Sequence, residues 1–155
     1  MSLFWKFPHQ KPANFKVYYM KNSENSSYLS GLLEKACAGL TYLSETDAEV
    51  EPFFGGKVEI LNTQSFLETI GESEKKPVEV TGARQFFERV SKIHDWHTVS
   101  QKKNAEKFTA LRKLLESNLS GLRVFRVGRI RIDIYIVGID RDGNLAGVKT
   151  HAVET

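Results

Sequence analysis

The segment RIRIDIYI, residues 129–136, alternates without a break between isoleucine and a residue that is charged or aromatic. Successive side chains of a β-strand point to opposite faces of the sheet, so this period of two predicts a strand with one buried face. The two predicted faces are Ile130, Ile132, Ile134 and Ile136, buried, and Arg129, Arg131, Asp133 and Tyr135, exposed. The turn sequence DRDGN follows, and strands at 122–127, 129–139 and 144–153 are predicted to form an antiparallel meander.

The chain before this meander has helical periodicity in four segments. The first helix is predicted from about Ser27 to Gly39, where apolar residues are spaced three and four apart. The second begins after its cap residue Asn62 and ends at Gly71. Short strands are predicted for the sequences VEPFFGG and VEV, which lie on either side of this second helix.

The third and fourth predicted helices are ARQFFERV, capped by Thr81, and residues 101–119, with Gly121 as the C-terminal cap. Their inward-facing residues are predicted to be Phe86, Phe87, Val90, Ala105, Phe108, Leu111, Leu115 and Leu119. Helices that precede sequential antiparallel strands favour an α+β layer fold.

The length of 155 residues is sufficient for one domain with a single core. Residues 1–25 contain Pro8, Pro12 and then a polar run, and they are predicted to be an N-terminal arm or extension that precedes the domain at 26–155.

Composition predicts a cytoplasmic protein that does not contact a membrane. No segment approaches the ~18 apolar residues that cross a bilayer, and the first residues contain no continuous apolar region typical of a secretory signal. The single cysteine, Cys37, has no internal disulfide partner. The net charge of +3 permits an anionic partner but is too small to indicate nucleic-acid binding.

Two motifs contain residue types that bind metals. The sequence HDWH places His94 and His97 around Asp95 and Trp96, but a zinc site needs three or four convergent ligands, so a solvated loop is favoured. In that loop a buried anchor is the favoured interpretation of Trp96, and an exposed interface residue is the alternative. The sequence DRDGN resembles a calcium loop but lacks its later glutamate, which favours a turn.

Charged clusters leave two further interpretations open. The sequence SETDAEVE is favoured as a solvated acidic loop over a set of catalytic carboxylates, although such a loop also suits a cationic protein partner. Arg129, Arg131 and the lysines of 102–113 are compatible with phosphate contacts, with Tyr135 available for stacking. Surface solubility is the favoured interpretation of these basic residues. A hydrolase that uses His94 or His97 is the least favoured alternative.

The sequences GLTYLSETD, HDW, LLESNLSGLRVFRVGRIRIDIYIVG and GNLAGVKTHAVET closely resemble the nuclease A inhibitor family, with nearly matched spacing from about Leu29 to Thr155. The resemblance implies a three-layer α-β-α sandwich around a mainly antiparallel sheet, similar to the pathogenesis-related protein 1-like fold. It also implies an inhibitor, not an enzyme, that needs no cofactor of its own. Its partner would be a magnesium-dependent, non-specific DNA/RNA nuclease, and nucleic acid itself would not be bound.

The resemblance implies that the nuclease is bound by Glu45, Asp95, Trp96 and Thr155. Magnesium prefers oxygen ligands, and Thr155, as the last residue, offers a hydroxyl and a carboxylate to the partner's metal. The sequence departs from the family in charge, because Arg129 and Arg131 stand where the similar strand carries glutamates. This departure weakens long-range attraction to a basic cleft. A nucleic-acid-binding or protein-interaction module on the same fold is the alternative interpretation.

Overall fold

The computed structural model of the protein describes residues 28–73 and 75–155. The arm predicted for residues 1–25, and the predicted start of the first helix near Ser27, lie outside the described residues. The elements follow in the order α1 (28–37), β1 (Thr41–Tyr42), β2 (Ala48–Glu49), β3 (Glu51–Lys57), α2 (Thr63–Ile70), β4 (Val78–Gly82), α3 (Ala83–Val90), α4 (Val99–Asn118), β5 (Ser120–Val127), β6 (Arg131–Ile139) and β7 (Asn144–Val153).

Five strands form one sheet in the order β3-β7-β6-β5-β4, and every neighbouring pair is antiparallel. The predicted meander of β5, β6 and β7 is therefore confirmed. The remaining two strands, β1 and β2, pair with each other as a separate hairpin. This hairpin leads through Val50 into β3 at the edge of the large sheet.

The sheet is packed on both faces. On one face, Ile132, Ile134 and Ile136 join a core that includes residues of α1, α3 and α4. On the other face, Phe66 of α2 stacks on Phe125 of β5, with ring centroids 4.2 Å apart and planes 8° apart. Helices thus lie on both sides of an antiparallel sheet, and the predicted α+β fold is confirmed. The similarity to the pathogenesis-related protein 1-like fold stays a prediction.

Helix α2 follows its local sequence signals closely. The Asn62 side chain accepts a hydrogen bond from the Ser65 N–H at 2.8 Å, and the Ser65 hydroxyl accepts one from the Asn62 N–H at 3.0 Å. This reciprocal capping box begins the helix, and Gly71 ends it in the left-handed conformation that glycine adopts without steric cost. No helix in the described parts of the chain is long and apolar enough to span a membrane.

Two predicted caps are wrong because strand pairing extends to the helix ends. Thr81 lies within β4, where it pairs with Val124, so α3 begins after Gly82 without a side-chain cap. Gly121 lies within β5, at a shift in the pairing with β6, and does not cap α4. Helix α4 instead ends at Asn118, and the extended Leu119 leads directly into β5.

The two faces of β6 also differ from the predicted pattern. Ile130 precedes the strand, in the connection from β5, and is 63% exposed, whereas the next three isoleucines are buried as predicted. The interpretation in which Tyr135 is available for stacking is wrong, because its ring packs edge-on against Phe53 and Phe66. Helix α2 covers this part of the sheet, so the face opposite the isoleucines is only partly open to solvent.

Cys37, the last residue of α1, is buried in the core, and we expect its thiol to be unreactive in the folded protein. Burial, with a smaller contribution from the charge of Glu51, raises the pKa of the Cys37 thiol from 9.0 to about 11. Alkylation by iodoacetamide at pH 8 should therefore be at least about 100-fold slower in the folded protein than in urea, because the thiolate is the nucleophile. Similar rates in the two states would contradict this placement.

The same pKa shift sets the direction of a pH effect on stability. The folded state holds the thiol proton more tightly than the unfolded state, so the stabilisation is complete below pH 9 and is lost as the pH rises towards about 11.

Candidate functional site

The hairpin of β1 and β2 presents Glu45 at its tip. Ser44 shapes this tip, because its hydroxyl donates to the Thr46 carbonyl at 2.7 Å and accepts from the Thr46 N–H at 3.3 Å. The Glu45 side chain is exposed. The acidic segment is therefore a short loop between two short strands, whereas the sequence predicted only the solvated acidic loop.

Two side chains from other elements hold the base of the hairpin. Asn104 of α4 accepts a hydrogen bond from the Thr41 N–H at 3.0 Å and donates one to the Thr41 carbonyl at 2.8 Å. Thr150 of β7 donates its hydroxyl to the Glu49 carbonyl at 2.9 Å. Each strand of the hairpin is thus attached to the main body of the protein.

We expect Asn104→Ala to destabilise the protein by about 1–3 kcal/mol, because it leaves a backbone donor and a backbone acceptor of Thr41 without their partner. Urea denaturation measures this change. The matched control is Asn118→Ala on the same helix, which removes one local bond to the Leu114 carbonyl and is expected to cost less than about 1 kcal/mol. Equal losses in the two variants would show that Asn104 does not hold the hairpin.

Three contacts hold the last residues of β7. Val153 pairs with Arg131, and the Glu154 N–H donates to the Ile130 carbonyl at 2.8 Å. The Glu154 carboxylate forms an ion pair with Arg126 at 2.6 Å, and the Arg126 side chain is largely covered. The strand is therefore held up to the residue before Thr155.

Thr155 lies against Glu45, although 110 positions separate them in the sequence. The Thr155 hydroxyl donates to the Glu45 carboxylate, and its Oγ1 is 3.1 Å from both Oε1 and Oε2. Because the hydroxyl proton points towards Glu45, the lone pairs of Oγ1 stay available to a cation. The two residues together present a carboxylate and a polarised hydroxyl, which are ligands that hard divalent cations prefer.

The loop between α3 and α4 holds Trp96 in an exposed position. The His97 N–H donates to the His94 carbonyl at 3.0 Å, and the His94 N–H donates to Nδ1 of His97 at 3.0 Å, which closes the turn. The Trp96 ring stacks on His94 with centroids 5.1 Å apart, yet 73% of the residue is exposed. The structure therefore selects the exposed alternative for Trp96, and Asp95 beside it is also exposed.

One cleft of about 390 Å³ connects these segments. Glu45, His97 and Glu154 line it, as do the cationic side chains of Arg89 and Lys92. The structure thus brings Glu45 and Thr155 into direct contact. It places Asp95 and Trp96 in a loop whose His97 borders the same cleft, but none of the hydrogen bonds found among the described residues joins this pair to Glu45 or Thr155.

The metal and nucleic-acid interpretations gain no support from these positions. Within residues 28–73 and 75–155, no group of three His, Cys, Asp or Glu side chains is placed to hold a metal ion. In DRDGN, the Asp140 carboxylate accepts the N–H groups of Asp142 and Asn144, which is the bonding of a turn. Arg131 of the basic row lies 3.6 Å from the Asp133 carboxylate, which partly offsets its charge.

Sequence reasoning missed the residues that support the site. Asn104 is a half-buried polar residue of α4, and its position next to Ala105 of the apolar stripe is the one sequence signal that marks it. Arg126 and Glu154 carry opposite charges near the ends of β5 and β7, but β6 lies between these strands in the sheet. Their pairing is therefore visible only once the strand order is known.

A protein-family model described as "NuiA: Nuclease A inhibitor-like protein" matches residues 27–155, which is most of the chain. No curated protein matches the sequence.

Proposed function

The chain belongs to the nuclease A inhibitor-like family, and we propose that it binds a magnesium-dependent, non-specific DNA/RNA nuclease and blocks the active site of that enzyme. Membership of this family supports the role of a nuclease inhibitor in general terms. The observation that carries the specific proposal is the contact between Glu45 and Thr155 at an exposed tip.

Thr155 is proposed to approach the magnesium ion of the nuclease. Magnesium takes oxygen ligands in octahedral geometry and keeps positions for phosphate oxygens of the substrate. The Thr155 hydroxyl, with the terminal carboxylate, would compete for those positions while offering no phosphodiester bond to cleave. The metal belongs to the nuclease, and this chain supplies only ligands to it.

Glu45 is proposed to have two effects. It orients the Thr155 hydroxyl by accepting a hydrogen bond from it, and it places a negative charge where the cationic groups of the nuclease would meet the scissile phosphate. Asp95 and Trp96 are proposed as a second contact, since an exposed tryptophan with one face packed on a neighbouring ring is typical of an interface hot spot.

The test is inhibition of a panel of magnesium-dependent, non-specific nucleases by an equimolar amount of the protein. We expect hydrolysis of both DNA and RNA by at least one of these enzymes to slow strongly. The alternative function, nucleic-acid binding, is tested with the same preparation by a gel shift at low salt. If the protein shifts DNA or RNA in the gel and inhibits no nuclease of the panel, the proposed function is overturned in favour of that alternative.

We expect Glu45→Gln to weaken inhibition by at least about tenfold, because an amide keeps the shape of the side chain but removes the charge that faces the nuclease. Titration of nuclease activity at fixed enzyme concentration gives the inhibition constant. The control is Glu59→Gln, which removes an equally exposed charge from the loop before α2. Similar losses in both variants would indicate a general effect of net charge and not a contact of Glu45.

A further inference from the structure

Several large apolar side chains near the Glu45–Thr155 pair are exposed to solvent. Leu43 is 50% exposed, Val99 is 71% exposed and Ile130 is 63% exposed, in addition to Trp96. Single exposed apolar residues are common on protein surfaces, but a group of them around one polar feature marks an interaction surface. We refer to Leu43, Trp96, Val99 and Ile130 as the apolar collar.

The contacts of these residues place them around the tip. Leu43 lines the cleft of Glu45 and Glu154 on one side, and on the other side it lines a second groove together with Val99. The Ile130 carbonyl accepts the N–H of Glu154, which is adjacent to Thr155. Trp96 packs against His97, which borders the cleft. Leu43 and Ile130 are therefore next to the residues that hold the Glu45–Thr155 contact, while Val99 extends the collar to the start of α4 and Trp96 extends it to the loop before that helix.

The fold itself does not require apolar side chains at these positions. Val99 is the first residue of α4, and Ile130 lies outside the paired segment of β6, so neither belongs to a buried stripe. Neither residue, nor Leu43, belongs to the two core clusters found among the described residues. Their hydrophobicity is thus unexplained by packing among residues 28–73 and 75–155.

We propose that the apolar collar is a water-excluding contact for the rim of the nuclease active site, and that the nuclease bound by this protein has an apolar rim around its polar, metal-containing cleft. This inference rests on the proposed function and specifies the chemistry of the partner. Contacts that surround a hot spot exclude water from it, and charge interactions strengthen when water is excluded. The collar would have this effect on the Glu45–Thr155 pair.

The experiment compares Leu43→Ser, Val99→Ser and Ile130→Ser with the wild-type protein. Each protein is immobilised, and binding of every nuclease in the panel is measured as association and dissociation rates at low and high salt. Each variant is expected to dissociate at least about fivefold faster, with little change in the association rate, since apolar contacts act mainly on dissociation. The fold-change should be larger at high salt, because loss of a collar residue admits water and ions that screen the charge interactions of the Glu45–Thr155 pair.

The matched control is Ile60→Ser, which removes an equally exposed isoleucine that precedes α2 and lies outside the cleft and the groove of Leu43. It is expected to bind like the wild type. If all three collar variants bind like the wild type while the wild type still inhibits, the proposed contact of the collar is wrong and the proposed function stands. If the wild type binds no nuclease of the panel, both are overturned. The urea denaturation midpoint of each variant is also measured. A midpoint equal to that of the wild type shows that faster dissociation reflects a lost contact and not unfolding.

Discussion

Deletion of Thr155 is expected to abolish inhibition of the nuclease, with a loss of at least about 100-fold in the inhibition constant, because the deletion removes the residue proposed to contact the metal. The stability of the protein should not change, since Thr155 is exposed and the preceding residues are held by their own bonds to Ile130 and Arg126. Inhibition titrations and urea denaturation of the same preparations measure the two quantities.

Two substitutions separate the groups of Thr155. Thr155→Val keeps the size of the side chain but removes the hydroxyl that donates to Glu45, whereas Thr155→Ser keeps that hydroxyl. We expect the valine variant to lose most of the inhibition and the serine variant to keep most of it. One residue appended after Thr155 should also abolish inhibition, because it displaces the carboxylate. Full potency of both the deleted and the extended proteins would rule out the proposed contact with the metal.

Local sequence signals predicted those parts of the fold that depend on local interactions. The alternation in β6 and the caps of α2 involve neighbouring residues, and both are predicted correctly except for Ile130 and Tyr135. The errors at Thr81 and Gly121 have a common cause. A cap contributes only about 1 kcal/mol, and continued pairing with a neighbouring strand outweighs that preference. Strand partners are distant in the sequence, so their effect is not visible in a local pattern.

The candidate site was only partly predictable for the same reason. The family resemblance suggests Glu45 and Thr155 individually as contact residues, but their hydrogen bond depends on how the hairpin is attached to Asn104 and Thr150. The exposure of Trp96 depends on the turn closed by His94 and His97, which local hydrophobicity does not describe. The general tendency of a loop tryptophan to be buried therefore gives the wrong prediction here, and tertiary structure determines that Trp96 is exposed.

Gly147→Ala is expected to lower the free energy of unfolding by at least about 3 kcal/mol, among the larger effects of single substitutions. Gly147 lies in β7, between Phe53 of β3 and Val137 of β6, with a φ of +156°. A Cβ at this position would lie 2.0 Å from the Ile136 carbonyl oxygen, which is backbone and has no rotamer that relieves the clash. The alanine would therefore force β6 and β7 apart. Urea denaturation measures the loss.

Gly31→Ala is the matched control, because the same methyl group is added in α1 where no atom outside the adjacent residues and the local helix backbone lies within 4 Å of it. Alanine is favoured over glycine in a helix by about 1 kcal/mol, so this variant should be more stable than the wild type. The two variants also differ in function: if Gly147→Ala folds at low temperature, the displaced β7 should carry Thr155 away from Glu45 and weaken inhibition, whereas Gly31→Ala should inhibit normally. Normal stability of Gly147→Ala would show that β6 and β7 do not approach each other closely at this residue.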